Sequence, residues 1–168
     1  DWGLAYPVTL SYGLEWRQDS FTQGAGEPLS YALGTFANIP GSQVFPGFKP
    51  SDGGSFDRQN VSVYAGLEGD VSDRLSLGLA ARYEDYSDFG TTSNWKLSSR
   101  YAFSDAVALR ATVSTGFRAP SLQQQYFATT STNFINGVPY DITTFPATDP
   151  VAEALGAKPL DAETSVNF

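Results

Sequence analysis

The chain has 168 residues, with 18 acidic and 10 basic side chains and a formal net charge of −8, a balance that argues against a nucleic-acid partner, where a basic footprint is expected. It contains no histidine and no cysteine, which excludes disulfides, zinc fingers and Ser-His-Asp or Cys-His catalysis within this chain. Tyr, Phe and Gly are abundant at 9, 12 and 16 residues, a mixture that suits β-structure with many turns better than a helical bundle.

The chain opens DWGLAYP, without an initial methionine and without a basic segment ahead of an apolar one, so no signal peptide is visible and a piece of a longer protein is expected. No apolar run approaches the ~18 residues of a membrane-spanning helix. The first regular pattern is Val8–Arg17, where Val8, Leu10, Tyr12, Leu14 and Trp16 alternate with Thr9, Ser11, Gly13, Glu15 and Arg17. A period of two is the signature of a β-strand with two unlike faces. Residues 18–60 then read as a long loop rich in Gly, Pro and Ser.

Four more strands follow on the same principle, at 61–71, 75–86, 94–103 and 107–117. Their apolar sides carry Val61, Val63, Leu67, Leu77, Leu79, Leu97, Leu109 and Val113. Their polar sides carry Glu68, Asp70, Arg82, Glu84, Lys96, Arg100 and Arg110. Each is about as long as a strand crossing a bilayer, ~9–11 residues, where strands of globular proteins are nearer ~5–6. Two connections are tight and similar, around Ser72-Asp73 and Ser104-Asp105, a weak internal repeat. Following the chain up and down, short turns fall at one end of the sheet and longer connections at the other, including 87–93 and the long loop 118–161. A simple register through the second tight turn places Arg100 opposite Arg110, a repulsive pair; with plausible registers Glu84 lies opposite Lys96, which would partly neutralise that patch.

The fifth strand ends at Arg118-Ala119-Pro120, since proline cannot donate to a strand ladder. Beyond it, Ser121–Phe127 is expected to make a short helical turn with Ser121 as cap, and Pro150–Pro159 a single turn. Tyr126, Phe127, Phe134, Tyr140 and Phe145 are candidate ligand contacts, because exposed aromatics on long loops fit that role; packing of the loop on itself is the alternative. A sixth, weaker strand covers 162–168.

Aromatics are not spread evenly along the apolar faces. Trp16, Tyr83, Trp95 and Phe117 lie near the long-loop end, Tyr101 and Phe103 near the short-turn end, and mostly aliphatic residues lie between. This is the girdle layout of membrane strands; Tyr12, in mid-strand, is an exception. Charge alone favours the solvated outer face of a soluble sheet. Strand length, girdle position and loop asymmetry favour an all-β antiparallel up-and-down meander of about six strands, part of a transmembrane β-barrel. Asp85–Gly90 lacks the spaced ligands of a calcium loop and reads as a rim turn bent at Gly90. Neither Glu15 with Glu68 nor Glu84 with Asp85 shows the convergence a catalytic carboxylate pair needs. No enzyme activity, metal site or cofactor is expected.

The run Arg82–Leu122, RYEDYSDFGTTSNWKLSSRYAFSDAVALRATVSTGFRAPSL, resembles the barrel of a TonB-dependent outer-membrane receptor. Three elements carry the likeness: Tyr86–Gly90 at a strand end, the turn-to-strand passage Ser104–Ser114, and Gly116-Phe117-Arg118-Ala119-Pro120-Ser121-Leu122. The ending Leu160–Asn167 resembles the family's entry into the next strand, and Ser11–Arg17 is in character. The loops 21–57 and 123–158 carry no such marks. The resemblance implies a nutrient transporter in the bacterial outer membrane, contacting lipid, energised through TonB and capturing a scarce extracellular ligand such as a metal chelate (a siderophore, for example), haem, cobalamin or an oligosaccharide, among which the polar loops show no direct preference. It implies a plug domain and a TonB box that are not discernible here, and places Arg118 facing the lumen near its mouth. A soluble, lipocalin-like binding domain and a small barrel or adhesin without transport remain as alternatives. An isolated six-stranded piece is expected to oligomerise in water through its apolar face or open edges.

Overall fold

The computed structural model describes residues 6–35, 39–41 and 46–168; positions 36–38 and 42–45 of the expected 18–60 loop lie outside these. Six strands form one sheet: β1 (Val8–Gln23), β2 (Gly54–Ser72), β3 (Leu75–Tyr86), β4 (Gly90–Ser104), β5 (Val107–Arg118) and β8 (Glu163–Asn167), in the order β1-β2-β3-β4-β5-β8. The ladders from β2 through β8 are antiparallel. A second sheet of two antiparallel strands, β6 (Thr129–Ile135) and β7 (Val138–Thr144), lies in the stretch expected to be pure loop. Three short α-helices, α1 (Pro28–Tyr31), α2 (Leu122–Tyr126) and α3 (Pro150–Ala154), and a 3-10 turn at Pro50–Asp52 complete the described elements.

The chain divides into two compact units: residues 1–18, 58–119 and 161–168, and residues 19–57 and 120–160. In the first, β2–β3 and β4–β5 are joined by two residues each, and both joints carry a register shift next to the turn, between Asp70 and Ser72 and between Ala102 and Ser104. Such bulges increase local twist. The Ser72 hydroxyl accepts from the Arg74 and Leu75 amides and fastens the first turn. Arg100 does stand opposite Arg110. Glu84, however, lies opposite Ser62 and Thr92, and Lys96 opposite Ala80 and Ser114, so the expected Glu84–Lys96 pairing does not form. The three-residue connection 87–89, with Gly90 at φ 97°, sets that register.

Burial in this sheet is the reverse of a soluble core. Leu67, Leu79, Leu97 and Val113 are successive cross-strand partners, forming one row over four strands. Leu67, Leu79 and Leu97 are 41%, 54% and 42% exposed, and no layer of the described residues covers them. Tyr86 and Leu122 are the buried apolar residues of the described chain; Arg58, Asn60, Ser62 and Glu84 are buried polar ones.

The first turn of α2 is a capping box: Ser121 Oγ accepts from the Gln124 amide at 3.1 Å, and Gln124 Oε1 accepts from the Ser121 amide at 2.8 Å. The strand ahead of it ends at Arg118, as Pro120 requires.

Candidate functional site

The polar face of the sheet is organised around two arginines. Ser62 and Glu84, Asn60 and Tyr86, and Tyr64 and Arg82 are cross-strand partners in the β2–β3 ladder, so these six side chains share one face. Arg82 Nη2 donates to Ser62 Oγ at 2.7 Å and to Glu15 Oε2 and Glu84 Oε1 at 3.0 Å each, and its guanidinium stands 5.6 Å from the centre of the Tyr64 ring. Glu15 and Glu84 thus meet on one cation, a pairing the sequence did not disclose because the two lie on different strands. Arg58 grips Asp88 with Nε at 2.9 Å and Nη2 at 2.7 Å, and lies 5.8 Å and 5.2 Å from the ring centres of Tyr86 and Phe89. The acidic stretch at 85–90 therefore directs Asp88 to an arginine. On the same face, Ser76 lies beside Arg100 and bonds Asp70 at 2.5 Å.

The second unit is built around Asp52, in the single 3-10 turn Pro50–Asp52. Although charged, Asp52 is 5% exposed. Its Oδ2 accepts from the Lys49 amide at 3.0 Å and the Thr130 amide at 3.1 Å; its Oδ1 accepts from Thr130 Oγ1 at 2.7 Å. These bonds meet the demand of a buried carboxylate and tie the turn to β6. Lys49 Nζ contacts Asp141 Oδ2 on β7 at 2.6 Å, and Asp141 also accepts from Thr132 Oγ1 at 2.6 Å. Both contacts hold the Asp141 carboxyl below its ordinary value, the Lys49 bond most strongly.

The β6–β7 hairpin turns on Asn136-Gly137, both with positive φ, 53° and 80°, the backbone that two-residue hairpin turns prefer. The Asn-Gly dipeptide was the available signal for this hairpin; the surrounding Thr, Ser and Asn residues suggested loop instead. Next to it lies a groove of about 320 Å³, lined by Phe56, Tyr126, Phe145, Asp52, Asp149 and Thr130 among others.

The sequence-derived ligand candidates separate. Tyr126 stacks on Phe56 with ring centres 4.1 Å apart, and Phe127 meets Phe48 edge-on at 5.9 Å. Phe134 is the cross-strand partner of Pro139, and Tyr140 that of Asn133, so Phe134 and Tyr140 point to opposite faces of the hairpin. Arg118 belongs to the other unit. It lies opposite Glu163 with a closest N–O distance of 3.9 Å, both side chains well exposed. Of the aromatics expected to form girdles, Trp95 is partnered with Ala81, Tyr83 with Val63 and Ser93, and Phe117 with Thr164, at one end of the aliphatic row. Tyr101 lies beside Leu75 and Leu109 at the other end and packs edge-on to Phe103 at 4.9 Å. Trp16, on β1, is exposed.

A family model described as "TonB dependent receptor-like, beta-barrel" matches residues 1–168. Among solved structures, the siderophore receptor PirA from Acinetobacter baumannii superposes with a TM-score of 0.61 at 19% identity, over 97% of this chain and 21% of that one. The ferric enterobactin receptor PfeA, solved in complex with BCV-L6, gives 0.55 at 19% identity, over 77% of this chain and 18% of that one. At that identity the likeness is one of fold, and the chain spans about a fifth of the length of either receptor.

Proposed function

The chain belongs to the TonB-dependent receptor β-barrel family, and from that premise we propose that it supplies part of the wall and the ligand-capturing loops of a bacterial outer-membrane importer. One observation carries the reading: the leucine row is exposed while Arg58, Asn60, Ser62 and Glu84 are buried. A soluble sheet would hide the leucines; a barrel wall presents them to lipid and turns its polar side to a watery interior.

In this arrangement Trp16, Tyr83, Trp95 and Phe117 form one interfacial girdle, and Tyr101 and Phe103 the other. From Ser93, level with Tyr83 in the ladder, to Phe103 the β4 strand rises about 34 Å at ~3.4 Å per residue. At a tilt of about 40° that spans roughly the ~25 Å apolar band of such barrels. Arg118, Tyr126, Phe127, Phe134 and Tyr140 are the proposed ligand contacts, and energy enters through TonB by way of parts of the protein outside this chain. The neighbours named as siderophore and ferric enterobactin receptors favour an iron chelate as cargo. The role is transport without chemical turnover.

Uptake of radiolabelled ferric chelates by cells expressing the full-length receptor tests this. Uptake is expected to need an intact TonB system and to fall when residues 129–144 are replaced by a short linker while barrel assembly persists. Uptake indifferent to TonB, or absent for every chelate, would overturn it.

A further inference from the structure

The groove beside the β6–β7 hairpin has a charge character of its own. Its aromatic side is Phe56, stacked on Tyr126 with the ring planes 5° apart, together with Phe145, which is 40% exposed. Its polar side carries the carboxylates of Asp52 and Asp149 and the Thr130 hydroxyl, and none of the lining residues is basic. Lys49 and Lys158 are the only basic residues in the sequence of this unit, and the Lys49 ammonium is held at 2.6 Å by Asp141.

The two carboxylates differ in what they have left to offer. Asp52 uses both oxygens on Lys49 and Thr130. Asp149 caps α3 by accepting from the Val151 amide through Oδ1 at 2.8 Å, and its Oδ2 accepts no hydrogen bond from the described residues. A ligand ammonium can donate a charge-assisted hydrogen bond to that oxygen and lie against aromatic faces that attract cations. An anion in the same place would meet two carboxylates and no compensating cation.

We propose that this groove binds an organic ammonium group of the captured ligand and rejects carboxylates and other anions of the same shape. The proposal rests on the reading of these loops as ligand-capturing.

The test uses the full-length receptor in uncharged detergent and three probes of nearly equal shape: benzylammonium, benzyl alcohol and benzoate. Binding is followed by saturation-transfer NMR and titration calorimetry. Benzylammonium is expected to bind about tenfold more tightly than benzyl alcohol, equivalent to ~1.4 kcal/mol, and benzoate not to bind. Asp149→Asn, which retains a good helix cap, should remove that tenfold preference, and Phe145→Ala should weaken benzylammonium. Benzoate binding as well as benzylammonium, no binding by any probe, or a preference unchanged in Asp149→Asn each overturns the proposal. Failure of the capture reading looks different: benzylammonium binds with the stated preference while no ferric chelate is taken up. Chelate uptake with no charge preference in the groove overturns only the ammonium assignment.

Discussion

The ring of Tyr64 on β2 lies over Gly13 on β1, so closely that a side-chain carbon at Gly13 would collide with the tyrosine hydroxyl and ring. The neighbouring strand's aromatic covers backbone that glycine leaves bare, a recognised device for glycines in sheets. It also holds Tyr64 against the Arg82 guanidinium, which bridges Glu15, Ser62 and Glu84. Gly13→Val must therefore displace the ring and loosen the arginine, at an expected cost of about 1–3 kcal/mol for overpacking. Adding Tyr64→Ala should recover part of that loss, because the collision partner is gone. Equilibrium unfolding of the full-length barrel in lipid vesicles measures both variants; an unchanged midpoint for Gly13→Val would sink the argument.

Leu97 and Ser98 are adjacent in β4 but face opposite sides of the sheet, Leu97 between Leu79 and Val113, Ser98 between Gly78 and Thr112. If the leucine side meets hydrocarbon, Leu97→Arg should cost about 2–4 kcal/mol near the bilayer midplane. Ser98→Arg, entering a watery and already polar surface, should cost far less. Unfolding titrations in vesicles separate the two, and equal penalties would contradict the assignment of faces.

The 168-residue chain alone, in aqueous buffer, exposes Leu77, Leu97 and Leu109 and the free edges of β1 and β8. Unpaired edges and large apolar patches drive association, so oligomers are expected by light scattering. A monodisperse monomer would count against the lipid-facing reading.

The strands were legible because face alternation survives any error of register. Trp95, Leu97 and Tyr101 share a face whichever partner they meet. Register was legible only where a tight turn fixed it, as for Arg100 and Arg110; Glu84 was misplaced because the β3–β4 connection is shorter than the polar residues 87–93 suggested. β1 and β2 run past their expected ends, to Gln23 and back to Gly54, through segments such as DSFTQ that lack apolar alternation. The hairpin at 129–144 was hidden by Thr-rich composition despite Asn136-Gly137. Nor does the local sequence show that cross-strand pairing sends Phe134 and Tyr140 to opposite faces of the hairpin. Nothing local in Lys49-Pro50-Ser51-Asp52 announces that Asp52 is buried, because its partner Thr130 is remote in sequence.

The Arg58–Asp88 pair closes at 2.7 Å with side chains 4% and 9% exposed. Removing one partner of such a pair leaves a buried charge, so Asp88→Ala should destabilise by about 3–5 kcal/mol. Replacing both, Arg58→Met with Asp88→Leu, should recover part of the loss, because neither member of this pair is then left facing the gap of the other. Thermal unfolding of the three proteins in detergent checks this; a double variant no better than Asp88→Ala would show that the rings of Tyr86 and Phe89, against which Arg58 lies, need the guanidinium itself.

Asp141 gives the hairpin a pH dependence whose sign follows from its environment. Lys49 and then Thr132 stabilise the ionised carboxyl and hold its folded pKa below the ordinary 3.8. A group depressed in the folded state contributes stability that is complete above its unfolded pKa and is lost as pH falls through the folded one. The Lys49–Asp141 tether should therefore persist through neutral and mildly acid conditions and release only below about pH 4. Its contribution should be small, because Asp141 is 53% exposed and solvent screens the pair. Proteolysis within 129–144, followed from pH 7 to pH 3, should accelerate only at the acid end in the native receptor. In Asp141→Asn the acid-dependent step should shrink, with faster cleavage already present at neutral pH. Acceleration centred near pH 6, or an identical acid step in Asp141→Asn, would assign the effect to another group.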